Sequence, residues 1–132
     1  MYLPPLVETA EELAPKINKT TQWIISRAGV KERRVSQIDV DKMGALAIKE
    51  AVGDKNKPDL IINGSGVPKQ VIPDTSVFMQ KELGYSGIPS FSVHATCLSF
   101  IVALNIAGNF IKSGQYKRII VVSSDRGTCG RN

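Results

Sequence analysis

Apolar residues recur along this chain in two periods, and the switches between them outline the fold. The longest apolar run is helical: from Leu98 to Ile111 the polar side chains are Ser99, Asn105 and Asn109. A helix apolar nearly all round is predicted to be buried. Just before it, Phe91 and Val93 alternate with Ser90 and Ser92, which predicts a short strand. Leu60-Ile61-Ile62 is a second β-prone run, closed by the small residues Asn63-Gly64-Ser65-Gly66. Arg118 to Ser124 is the strongest strand, apolar on both faces as a parallel strand covered by helices should be.

Helix signals fill the gaps. Thr9-Ala10-Glu11-Glu12 reads as a capping box opening a short helix that Pro15 interrupts or ends. Thr20 caps a second short helix carrying Trp23, Ile24, Ile25 and Arg27, with Gly29 as its stop. Lys31 to Val35 reads as an exposed basic turn or edge strand. Asp39 or Asp41 caps a helix from about Lys42 to Val52, with Met43, Leu46, Ala47 and Ala51 as its core stripe and Gly53 as its end. Pro73-Asp74 opens another, with Val77, Phe78 and Leu83 as its apolar side and Gly84 as its stop. The long apolar helix ends near Lys112-Ser113-Gly114. Helices alternating with apolar strands predict an α/β layered fold with a mainly parallel sheet. With 132 residues, one core and a single domain over 1–132 are expected.

Composition narrows the class. No apolar run approaches membrane-spanning length, and Met-Tyr-Leu-Pro-Pro is not a signal peptide. Cys97 and Cys129 form no close-spaced metal or redox pair, so no metal site is expected and a reducing cytoplasm is the default. A formal net charge of +5 suits an acidic partner: nucleic acid, anionic lipid, a phosphorylated cofactor or an acidic carrier protein. The basic residues are dispersed apart from Lys31-Glu32-Arg33-Arg34, and neither a zinc spacing nor an aromatic-rich sheet signature is present, which disfavours nucleic acid. The lone Gly64-Ser65-Gly66 is no dinucleotide fingerprint.

The candidate chemistry sits where the strand around Phe91 becomes the long helix. Cys97 stands at that junction, on the expected first turn of the helix. Free N–H groups and the positive end of the helix dipole stabilise negative charge there. The thiolate is the nucleophilic form of cysteine, and the same amides can donate to an oxyanion beside the sulfur. The alternative is a cysteine that is simply a small buried hydrophobe. Trp23 and Arg27, four apart, share a helix face. They could hold a flat aromatic group with a phosphate nearby, or pack on each other at the surface.

One collinear set of residues carries a resemblance. Trp23-x3-Arg27-x-Gly29-x2-Glu32-Arg33-Arg34, then Met43-Gly44, Asp59-Leu60-Ile61, Pro73, Leu83-Gly84, Phe91-x-Val93, Cys97, Phe100 and Ser113-Gly114 run through nearly the whole chain. In this order they resemble the amino-terminal half of β-ketoacyl-[acyl-carrier-protein] synthase III, of the thiolase superfamily. The resemblance puts Cys97 on the family's nucleophile. It implies that the cysteine takes an acyl group from acyl-coenzyme A as a thioester, with no tightly bound cofactor. Malonyl on an acidic acyl carrier protein then loses carbon dioxide and attacks that thioester. It further implies that Trp23 and Arg27 hold the adenine nucleotide end of coenzyme A. Ile72 falls near the acyl pocket across a homodimer interface.

The departures lie around the nucleophile. The family usually has Ala before the cysteine, then a small residue and Gly. This chain has Thr96, Leu98 and Ser99, and the bulky Leu98 bears on the acyl pocket. The family's catalytic His and Asn lie in its carboxyl-terminal half. The single histidine here is His94, which reads as structural. The chain therefore reads as an incomplete thiolase-like half. Two alternatives follow: a non-catalytic fragment or subunit that binds coenzyme A or acyl carrier protein, and another condensing enzyme of the same superfamily.

Overall fold

A computed structural model describes residues 1–53 and 57–127. Cys129 lies outside them. The chain forms two compact units, one over Leu3–Gln37 and the other over Met1–Tyr2 with Ile38–Asn132.

In the smaller unit, β1 (Leu6–Thr9) pairs antiparallel with β2 (Glu32–Val35), matching Leu6 to Val35 and Thr9 to Glu32. β1 was not expected: it is four residues long, and its partner lies more than twenty residues away. Thr9 then caps α1 (Ala10–Leu13) through the predicted box. Its hydroxyl accepts the Glu12 N–H at 3.2 Å, and the Glu12 carboxylate accepts the Thr9 N–H at 2.8 Å. A 3-10 turn over Pro15–Ile17 follows. α2 (Thr21–Ala28) starts at Thr20, whose hydroxyl accepts the Trp23 N–H at 3.1 Å, and ends at Gly29 with φ +66°. Ala10, Ala14 and Ile24 form a small core. At the surface, hydrogen bonds from Lys16 and then Arg33 hold the Glu8 carboxyl below its ordinary value.

The larger unit is a three-stranded parallel sheet in the order β4–β3–β5, built from β3 (Leu60–Asn63), β4 (Ser90–Ser92) and β5 (Ile119–Val122). The central strand β3 is buried along its whole length. Its alternation sorts two cores. Ile61 faces Ile48, Val52, Met79 and Val122, on the side of α3 (Val40–Val52) and α4 (Thr75–Glu82). Leu60 and Ile62 face Ala103 and Ala107 of α5 (Ser99–Lys112). This is the predicted layered arrangement.

Three packing expectations need correction. The stripe of α3 is rotated: Asp41, Gly44, Ala45, Ile48 and Val52 are buried, while Leu46 and Ala51 are exposed. Asp39, not Asp41, is the cap, and its side chain makes no capping hydrogen bond. Asp41 lies inside, 2.6 Å from the Lys69 ammonium. That hydrogen bond raises the Lys69 pKa against the opposing pull of burial. On α4, Met79 is the core residue and Val77 is exposed. Finally, α5 is covered on one face only. Among the described residues Ser99, Ala103 and Ala107 are buried, whereas Ile101, Leu104 and Ile111 are exposed. A helix on a single sheet has one covered side, and no described residue packs on the other. No helix among the described residues is long and apolar enough to cross a membrane.

Candidate functional site

The carboxyl ends of three parallel strands converge on one cavity. In open α/β sheets this end is where ligands bind. After β3 the chain turns through Gly64, Gly66 and Val67; after β4 it supplies Thr96, Cys97 and Phe100; after β5 it supplies Ser123, Asp125 and Gly127. These residues line a cavity of ≈ 420 Å³. Cys97 is a free, exposed thiol in that wall. The reading as a small buried hydrophobe therefore fails: the sulfur faces an opening.

The local backbone explains how it is held. Cys97 is not in α5 itself but in a 3-10 turn, Thr96–Leu98, that runs directly into it. Thr96 has φ +50°. A β-branched residue in the left-handed region is a true outlier, at a cost of about 1–3 kcal/mol. The Leu98 N–H donates to the Ala95 carbonyl at 3.0 Å and closes the turn. Buried Ser99 spans it from the other side: its hydroxyl donates to the Thr96 carbonyl at 2.7 Å and accepts the Ala95 N–H at 3.0 Å.

A polar chain links the strand ends beside the cavity-lining residues. The Asn63 amide nitrogen donates to the Ser92 hydroxyl at 2.8 Å, which donates to Asp74 at 2.9 Å. The Asn63 amide oxygen accepts the Ser65 hydroxyl at 2.6 Å, and Ser65 accepts the Ser124 N–H at 2.9 Å. Asn63, Ser65 and Ser124 are buried, and hydrogen-bonded buried groups of this kind fix one arrangement of the strand ends. Asp125 completes the wall: it accepts the Val67 N–H at 2.7 Å and the Ser123 hydroxyl at 3.2 Å.

Gly64 sets how closely α5 approaches β3. A Cβ there would stand 2.8 Å from the Phe100 Cα and 3.1 Å from its nitrogen, both backbone atoms. Gly64→Ala should therefore destabilise the fold by about 1–3 kcal/mol. Gly108, in α5, is the contrast, because a Cβ added there would meet nothing within 4 Å. As alanine it should gain up to about 1 kcal/mol. Urea unfolding of the two variants checks the difference; equal effects would show that Gly64 sets no such approach.

The other predicted site residues lie elsewhere. Trp23 and Arg27 are both exposed on α2, with the Lys19 ammonium 5.2 Å from the Trp23 ring centroid. Ile72 and Leu98 are 84% and 63% exposed, and neither lines the Cys97 cavity. His94 is exposed. Sequence reasoning missed Gly64, Ser99 and Asp125. The one available signal was position, since each lies just beyond a strand end or at a helix start. Among the described residues no three His, Cys, Asp or Glu side chains gather as a metal site would need.

Comparison with known proteins shows what the chain is similar to. The sequence model for 3-oxoacyl-[acyl-carrier-protein (ACP)] synthase III matches residues 91–129, the stretch that holds Cys97. Beta-ketoacyl-[acyl-carrier-protein] synthase III of Laribacter hongkongensis is 38% identical over 130 residues, covering 94% of this chain and 41% of that protein. The Clostridium acetobutylicum enzyme is 36% identical, covering 97% and 44%. By sequence this chain matches the amino-terminal half of the synthase III family. The fold agrees. The crystal structure of 3-oxoacyl-[acyl-carrier-protein] synthase III from Aquifex aeolicus superposes with a TM-score of 0.84 at 36% identity, over 97% of this chain and 46% of that one. The priming β-ketosynthase of the R1128 polyketide pathway gives 0.88 at 28% identity, over 99% and 41%. The thiolase-like α/β class is thus established, and the chain spans less than half the length of these synthase III relatives.

Proposed function

We propose that this chain is the nucleophile-bearing half of an acyltransferase of the synthase III type, working in fatty acid or related biosynthesis. The observation that carries the reading is the exposed Cys97 thiol in a cavity at the strand ends, on a turn leading into α5. In the first step the Cys97 sulfur attacks the thioester carbonyl of an acyl-coenzyme A. The carbon–sulfur bond to coenzyme A breaks, and coenzyme A leaves as its thiol with the cysteine proton. In the second, a malonyl group on an acidic acyl carrier protein loses carbon dioxide, and the resulting carbanion displaces Cys97 from the acyl group. Covalent catalysis divides one hard transfer into two easier ones.

Residues 1–132 form one incomplete thiolase-like half in this reading. The second step requires a carboxyl-terminal half like that of the relatives, on the same polypeptide or another. The exposed apolar face of α5 supports that requirement. A cytoplasmic homodimer completes the picture, with Ile72 and Leu98 shaping the acyl pocket only in the full assembly. Without the other half, the chain is expected to acylate but not to condense.

Trp23 and Arg27 are proposed to hold the adenine nucleotide of coenzyme A. Trp23 is the only tryptophan, so its fluorescence reports this site alone. Coenzyme A is expected to quench it saturably, and Arg27→Ala should weaken that binding about tenfold through loss of a charged phosphate contact. No quenching, or quenching indifferent to Arg27, would remove these residues from the site.

A further inference from the structure

The turn that presents Cys97 is built from two residues that are unusual together. Thr96, β-branched, is held at φ +50°, a conformation that it would not keep unaided. Ser99, 1% exposed, makes two hydrogen bonds across that same turn, one to the Thr96 carbonyl and one from the Ala95 N–H. Cys97 lies between the bonded groups. The Thr96 hydroxyl is turned back to the Ala95 carbonyl at 2.8 Å, so it gives the turn no support from the α5 side.

We propose that the Ser99 hydroxyl is a clasp that holds the Thr96 turn in its left-handed state and thereby aims the Cys97 sulfur into the cavity. Ser99 is a positioning residue: it acts through the backbone of Ala95 and Thr96. The inference rests on the reading of Cys97 as the nucleophile. Remove the hydroxyl, and the Ala95 N–H loses its partner and the Thr96 carbonyl keeps only the Ser99 backbone N–H, while the unfavourable φ remains. The turn then relaxes, and the sulfur leaves its place at the start of α5. Glycine at position 96 carries no penalty at positive φ, so the clasp becomes dispensable there.

The test is a set of four proteins: the native chain, Ser99→Ala, Thr96→Gly and the double variant. Two readouts at Cys97 are followed by peptide mass spectrometry, alkylation by iodoacetamide and acetylation by acetyl-coenzyme A. Ser99→Ala should slow Cys97 alkylation at least about tenfold, as misplacement of a reacting atom does. The double variant should return to within about threefold of Thr96→Gly, because glycine needs no clasp. A merely structural role for Ser99 would leave the double variant as slow as Ser99→Ala. That result, or an unchanged rate in Ser99→Ala, overturns the clasp. Absence of acetyl transfer to native Cys97 would instead refute the nucleophile reading, while the alkylation rates still decide whether Ser99 sets the sulfur's position.

Discussion

Truncating Ile61 to alanine is expected to cost the larger unit about 2–5 kcal/mol, the loss of a fully buried side chain plus the cavity left behind. Ile61 has no exposed surface and sits at the middle of the core formed by Ile48, Val52, Met79 and Val122. β3 is paired on both sides, so the strand cannot shift to fill the gap. Against a total stability of about 5–15 kcal/mol for a typical domain, this is a large fraction. Ile101 on α5 is the control, being 61% exposed on the uncovered face. Its truncation should change stability by less than about 0.5 kcal/mol. Urea denaturation separates the two. Similar costs at both sites would mean that α5 has a covered outer face, contrary to the packing described above.

The second large effect is chemical. Cys97→Ala should lower acyl transfer from acyl-coenzyme A by on the order of a thousandfold or more, because the covalent route is lost with the sulfur. Alanine has no lone pair with which to form the thioester. Among the described residues, the other cavity side chains that carry oxygen are Thr96, Ser123 and Asp125. The Thr96 hydroxyl is spent on the Ala95 carbonyl. Because Cys97 is exposed, the fold should be left within about 0.5 kcal/mol of the native stability. Loss of transfer together with a native unfolding curve would mark a chemical role. Retained transfer would mean that the acyl group goes elsewhere.

How much of this was legible in the sequence depended on the range of the forces involved. Caps and stops are local, and Thr9, Thr20, Gly29 and Gly53 end up where their types suggest. The strands at Leu60 and Ile119 announced themselves because both faces are apolar. Phase was harder. Leu46 is larger and more apolar than Gly44, yet Gly44 faces inward, because its missing Cβ makes room for the Met79 side chain. That exchange involves two elements and leaves no trace in either alone. β1 escaped for a similar reason, since its hydrogen bonds come from a distant strand.

At the site, Cys97 could be found from the junction of a strand pattern and a helix pattern. Ser99 looked like a polar interruption of an apolar helix and is instead the bond-maker across the Cys97 turn. Asp125, just past the last predicted strand, is a cavity wall. Both roles depend on which strand ends lie side by side, and that is fixed by the sheet order rather than by any local pattern. The apolar outer face of α5 was legible as hydrophobicity but not as exposure, because its composition anticipates a covering that the described residues do not supply.

The most direct test of the central claim is peptide mass spectrometry of the full chain after incubation with acetyl-coenzyme A. The account predicts an acetyl thioester on the peptide containing Cys97 and none on the peptide containing Cys129. Equal labelling of the two cysteines, or label on Cys129 alone, would contradict it.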